Sequence, residues 1–138
     1  MAVAVAVGHN APVNSDLCID SGVVIHGGVG MIARSEMTAE LEASYRATSI
    51  ESLQAGRESL ETGGSALHAP VAAVRVMEDS PLFNAGRGSN FDERGVVTMD
   101  GSIMDVSTLE AGAVAGVAGV REWAEVVGYA GVKNARTR

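Results

Sequence analysis

Cysteine is nearly absent. Cys18 stands alone in 138 residues, so no intrachain disulfide can form, and a small secreted fold held by disulfide staples is excluded. Proline occurs three times and aromatic residues make up 4% of the chain, so the core is built mostly from Val, Ala, Leu, Ile and Met. No run of Lys or Arg occurs, and the formal net charge is −7. Nonspecific binding to a phosphate backbone needs a basic face, which argues against nucleic acid as a partner. Long apolar runs are missing too: the stretch from Ala2 to Val7 is too short for a secretory signal and lacks a basic start. Nothing approaches the length that crosses a bilayer. The expectation is a cytoplasmic protein with no membrane partner.

What is present is apolar and glycine-rich. Hydrophobic residues at 46% exclude a disordered chain of low hydrophobicity, and the length suits one domain with a real core. The 17 glycines cluster rather than repeat, which points to tight turns at particular places. Residues 1–21 read as an irregular leader, in which alternating Ala and Val can extend without being obliged to pair. Gly22-Val23-Val24-Ile25-His26 reads as a buried strand that meets the glycine turn Gly27-Gly28-Val29-Gly30.

A helical pattern follows from Thr38, a candidate N-cap, to Glu61, with Leu41, Tyr45, Ile50, Leu53 and Leu60 inward. Gly63-Gly64 stops it. Ser65 caps a second helix from Ala66 to Met77, with Pro70 five residues past the cap. An interior proline costs on the order of 3 kcal/mol, so this helix either kinks or starts late. Residues 89–91 and 96–99 flank Asp92-Glu93-Arg94-Gly95 as a hairpin. Residues 102–106 and 113–120 read as further strands, followed by a helix-like piece at 122–127. This order favours helices layered on a sheet.

Three local patterns carry chemistry. Gly28-Val29-Gly30-Met31-Ile32-Ala33 fits a dinucleotide fingerprint, but the second strand that motif requires falls at Ser49–Glu51, inside the first helix. A glycine turn at a strand end is the better reading. Asp100 and Asp105 form a conceivable acid–base pair, although backbone capping is the commoner role for such residues. His9, His26 and His68 lack the short paired spacing of a zinc site. The most specific string is Met77-Glu78-Asp79-Ser80-Pro81-Leu82-Phe83-Asn84-Ala85-Gly86-Arg87-Gly88. Its carbonyls can converge on a hard cation such as sodium, or it is a packed Ω-type loop without an ion.

Five strings resemble the plant-type L-asparaginase/isoaspartyl peptidase family of N-terminal nucleophile hydrolases, in that family's order over residues 22–117. They are His26-Gly27-Gly28-Val29-Gly30, Gly63-Gly64-Ser65-Ala66-Leu67, the segment from Pro81 to Gly88, Met99-Asp100-Gly101-Ser102-Ile103-Met104-Asp105, and Ala111-Gly112-Ala113-Val114-Ala115-Gly116-Val117. The resemblance implies a partial αββα sandwich, with two helices packed on a mostly antiparallel sheet. It also implies a precursor that cuts itself before a threonine, whose freed amine serves as base while its hydroxyl attacks an amide. Substrates would be L-asparagine and β-aspartyl dipeptides.

By the same resemblance Asn84 supports the nucleophile, and His26, Gly27, Gly28 and Gly30 form a loop at the substrate site. Sodium would be held by the main-chain oxygens of Met77, Glu78, Ser80, Phe83, Ala85 and Arg87, with no other cofactor. The chain departs from the family pattern at His68, Pro70, Gly101 and Val106, and again over residues 118–138, a divergent segment. Thr62 and Thr137 lie outside the nucleophile context. The expectation is therefore a truncated member comprising mostly the family's α portion, inactive alone. The alternative is a non-catalytic interaction protein that pairs with a full-length relative, or a second copy, through an open sheet edge.

Overall fold

The computed structural model describes residues 3–7, 21–28 and 32–119. Its elements are strands β1 (Val3–Val7) and β2 (Gly22–His26), helices α1 (Ala39–Glu61) and α2 (His68–Asp79), and strands β3 (Thr98–Asp105) and β4 (Glu110–Ala118). Two helices and antiparallel strands are as expected. The strands form two separate two-stranded ribbons, β1–β2 and β3–β4, rather than one sheet, because no ladder joins β2 to β3 among the described residues. The leader expected over residues 1–21 contributes an element: β1 pairs with β2 in register from Val3↔His26 to Val7↔Gly22.

Strand β2 alternates as a half-buried strand should. Val23 and Ile25 turn toward the helices, while Val24 is 69% exposed on the opposite face. The strand is covered on one side only, where the unbroken apolar run suggested burial on both.

Helix α1 starts at Thr38, whose Oγ1 accepts the Leu41 amide at 3.1 Å. This satisfies one of the amides that an opening turn leaves unpaired. The Glu40 carboxyl is held below its usual range by a backbone hydrogen bond and then by the Thr38 hydroxyl. The helix ends at Thr62, and Gly63 (φ +87°) supplies the left-handed step.

Helix α2 begins at His68, two residues later than the sequence pattern gives, and runs on to Asp79. Ser65 organises the entry: its hydroxyl accepts the Leu67 amide at 3.3 Å, and its carbonyl accepts from His68 at 2.9 Å. Pro70 thus stands in the first turn, where a missing N–H breaks no intrahelical bond. The penalty for an interior proline does not arise.

The helices cross on small residues. Ser52 and Gly56 of α1 meet Ala69 and Ala73 of α2, all four of them buried. Ser52 Oγ donates to the Ala73 carbonyl at 2.7 Å. A Cβ at Gly56 would stand 3.1 Å from the Ala69 oxygen and 3.1 Å from Val23 Cγ1. This glycine lets both α2 and β2 approach α1.

Beyond α2, the turn expected at residues 92–95 forms: Asp92 N donates to the Val96 carbonyl at 2.8 Å, and Gly95 is left-handed (φ +74°). Residues 89–91 do not become its first strand. Asp92 Oδ1 takes the amides of Arg94 and Val96 at 2.8 and 3.0 Å, a local bonding pattern that competes with a ladder. These contacts, the Val96 amide first and Arg94 after it, hold the Asp92 carboxyl below its usual range.

Residues 98–105 make one continuous strand instead of two pieces. Its register with β4 passes from Met99↔Val117 to Gly101↔Val114, so β4 carries one extra residue, a bulge. Gly116 takes the left-handed conformation there (φ +64°), and its amide donates to Asp100 Oδ1 at 2.8 Å. Asp105 closes the β3–β4 turn by accepting from the Ser107 hydroxyl at 2.7 Å and the Ser107 amide at 2.9 Å. Ser107, hydroxyl before amide, lowers the Asp105 carboxyl. Each aspartate caps backbone of its own hairpin, so the acid–base pairing is not realised.

Gly56→Ala tests the helix crossing. In an open helix this change gains up to about 1 kcal/mol. Here the new methyl meets a backbone oxygen, and overpacking costs about 1–3 kcal/mol. Urea denaturation of Gly56→Ala is expected to show a net loss of stability; a gain would contradict the crossing described.

Candidate functional site

The segment after α2 is held from three sides. Met77 is fully buried and packs with Phe83 and Ala85, each 4% exposed; Ile25 of β2, Tyr45 of α1, Val74 and Leu82 surround them. The Tyr45 and Phe83 rings meet edge to face, 5.4 Å apart at 86°, the arrangement aromatic quadrupoles favour. The Tyr45 hydroxyl donates to the Leu82 carbonyl at 2.9 Å.

The return leg of the loop has no room for side chains at two points. A Cβ at Gly86 would stand 2.7 Å from the Glu78 oxygen, and one at Gly88 would strike the Pro81 and Phe83 oxygens. The carbonyls of Glu78, Pro81 and Phe83 therefore face the strip of backbone from Gly86 to Gly88. The Arg87 amide donates to the Glu78 carbonyl at 2.8 Å and closes the loop, while Arg87 itself is exposed. Met77 O accepts the Ser80 amide at 3.3 Å, and Ser80 Oγ accepts the Leu82 amide at 3.2 Å.

Of the oxygens named for sodium, those of Glu78 and Phe83 face the return leg and that of Met77 accepts the Ser80 amide; neutral carbonyls are hard donors of the kind such an ion takes. A carbonyl with one N–H partner keeps a second lone pair.

The glycine turn after β2 lies against the same loop. A Cβ on Gly27 would be 2.8 Å from Phe83 Cε1, so only glycine lets the turn rest on that ring. His26 Nδ1 accepts the Gly28 amide at 3.1 Å, and Gly28 is left-handed (φ +107°). Of the substrate-loop residues, His26, Gly27 and Gly28 are thus brought to the edge of the 77–88 loop; Gly30 lies outside the described residues. Asn84 is exposed, and its Oδ1 accepts the Asn90 amide at 3.2 Å. Ser89 Oγ donates to Met99 Sδ at 3.1 Å, which joins the end of the loop to β3.

One reading ends here. Residues 49–51 belong to α1, so the second strand of a dinucleotide fold is not where its fingerprint needs it. Among the described residues, no three His, Cys, Asp or Glu side chains group as a metal site. Tyr45 is the member of the site that the sequence pattern did not single out. Its spacing marks it as an inward residue of α1, and nothing local shows that its hydroxyl reaches a carbonyl 37 residues away.

Comparison with known proteins agrees with this assembly. The profile of the asparaginase family matches residues 19–128. The isoaspartyl peptidase of Salmonella typhimurium is 46% identical over 99 residues, which is 72% of this chain and 32% of that protein. The plant-type L-asparaginase of Pyrococcus abyssi is 44% identical over 99 residues, 72% of this chain and 31% of the relative. The isoaspartyl peptidase/L-asparaginase of Xenopus laevis is 44% identical over 95 residues, 69% and 29% respectively. The chain belongs to the asparaginase family. The matched region spans about a third of the length of these relatives.

The contact of Gly27 with Phe83 makes a specific prediction. Gly27→Ala should destabilise the chain, and Phe83→Leu should cost about 1 kcal/mol or more by itself through lost packing. Together they should cost less than their sum, because the smaller side chain admits the new methyl. Gly88→Ala meets backbone oxygens and should not be relieved by Phe83→Leu. A denaturant double-mutant cycle checks this; strict additivity at Gly27 and Phe83 would contradict the contact.

Proposed function

We propose that residues 22–117 are the α portion of an N-terminal nucleophile amidohydrolase acting on L-asparagine and β-aspartyl peptides. The carrying observation is that Phe83 joins the glycine turn to the 77–88 loop, in a chain whose relatives are named isoaspartyl peptidases and L-asparaginases. In this reading the two ribbons and two helices are part of an αββα sandwich. His26, Gly27, Gly28 and Gly30 flank the substrate, and Asn84 supports the nucleophile. Sodium is held by the main-chain oxygens of Met77, Glu78, Ser80, Phe83, Ala85 and Arg87, where it fixes the loop and supplies no redox or acid–base step. The setting is the cytoplasm; among the described residues no helix is long and apolar enough to cross a membrane.

The chemistry of the proposed reaction rests on a threonine whose freed amine removes the proton from its own hydroxyl. Within residues 1–138, Thr62 caps the end of α1 with its hydroxyl on the Glu58 and Ser59 carbonyls, at 2.8 and 3.3 Å. It has no role in the site. In this reading the nucleophile comes from a β portion, and residues 1–138 alone do not catalyse the reaction.

A second reading, pairing with a full-length relative or another copy through an open edge, is favoured by one observation. The β3–β4 ribbon has a free edge on each strand among the described residues, and Met104, Val106 and Leu109 on it are 51%, 77% and 71% exposed. Such edges add strands readily.

Purified chain 1–138, free of host enzyme, is expected to release no ammonia from L-asparagine and no aspartate from a β-aspartyl dipeptide. Co-production with the β portion of the Salmonella typhimurium relative is expected to give both activities. Activity of the chain alone would overturn the reading that it lacks a nucleophile. Inactivity of a well-formed complex would favour the non-catalytic one.

A further inference from the structure

Tyr45 stands on α1, far in sequence from the glycine turn and the 77–88 loop, yet it makes two different contacts with that loop. Its hydroxyl donates to the Leu82 carbonyl at 2.9 Å, and its ring meets Phe83 edge-on at 5.4 Å. The first contact fixes the peptide plane on the N-terminal side of Phe83. The second fixes the Phe83 side chain, which Gly27 covers from the other direction. With both held, the nitrogen, Cα and Cβ of Phe83 are fixed in place, and its carbonyl oxygen faces Gly88 across the loop. The same hydrogen bond engages the Leu82 oxygen on the α1 side. Leu82 is not among the residues whose oxygens would hold sodium, and its neighbour Phe83 is.

We propose that Tyr45 is a positioning residue for the cation loop: its hydroxyl sorts the carbonyls of Leu82 and Phe83, one to α1 and one to the ion. This rests on the sodium reading given above and adds to it the element that sets the donor geometry. A hydroxyl that preorders ligand oxygens removes an ordering cost from ion binding, so its loss weakens binding even where the fold survives. Losing a partly buried hydrogen bond of this kind corresponds to up to about tenfold in affinity.

The test uses the whole chain, with sodium chloride titrated against choline chloride at constant ionic strength. Binding is read from the sodium NMR linewidth, at a temperature where circular dichroism shows each protein folded. Tyr45→Phe keeps the ring and is expected to raise the half-saturating sodium concentration about tenfold. Ser52→Ala removes a buried hydrogen bond of the helix pair, away from the loop, and is expected to leave it unchanged. In wild type labelled in its tyrosine rings, the Tyr45 resonances are expected to shift with sodium and not with choline. This readout also decides the matter should Tyr45→Phe not fold.

Equal sodium affinity in wild type and Tyr45→Phe, or Tyr45 resonances unmoved at saturating sodium, would overturn the positioning role while leaving the cation site standing. An equal loss in Ser52→Ala would reduce the effect to general stability and also overturn it. A wild type that does not respond to sodium at all would remove the cation site, and the proposal with it.

Discussion

The Phe83 ring is the point on which the described structure depends. It is almost fully buried among Met77, Ala85 and Tyr45, and it fills the space that a side chain on Gly27 would need. Through it a strand end, a helix face and a loop from three separate stretches of chain share one position. In a chain with 4% aromatic residues, one Phe–Tyr pair supplies much of the large apolar surface that the core contains. Aromatic side chains bury more area than any aliphatic residue and hold their neighbours in defined geometry. The crossing of the two helices is made by Ala, Ser and Gly, which allow close approach but leave little area to bury.

That division explains why the site half of the molecule is tightly determined and the hairpin half is not. Around Phe83 the backbone passes so close to itself that Gly86 and Gly88 admit no side chain. The β3–β4 ribbon is held mainly by its own ladder, by Asp100 on the bulge and by Asp105 on the turn. Isolated two-stranded ribbons are marginal in water. Met104 on β3, and Val106 and Leu109 in the turn that follows it, are left exposed.

Much of this was legible in the sequence. The span of α1, its Thr38 cap and its glycine stop follow from periodicity and cap chemistry, which act within a few residues. The glycine turn and the 77–88 loop stood out because backbone crowding demands glycine at fixed places. The sequence pattern starts α2 too early because Ser65 resembles a cap, while its bonds form a turn that delays the helix past Leu67. Pairing of β1 with β2 was not legible, since Val-Ala alternation specifies an extended segment and not its partner. Tyr45 as a loop anchor is not legible either: the same spacing points Ile50 and Leu53 inward, yet they are 56% and 37% exposed, and spacing does not show which distant carbonyl a hydroxyl meets. Five family strings in register gave the family where local rules gave only a layered fold.

The central claim is that residues 1–138 by themselves bring the glycine turn onto the 77–88 loop. Proton NMR of the whole chain tests it most directly, because the face of an aromatic ring shifts nearby protons upfield and its edge shifts them downfield. The account predicts cross-relaxation between the Gly27 α-protons and the Phe83 ring, with the Gly27 signals displaced from random-coil positions and collapsing to them in Phe83→Leu. Random-coil Gly27 signals in wild type, with no cross-peak to Phe83, would contradict it.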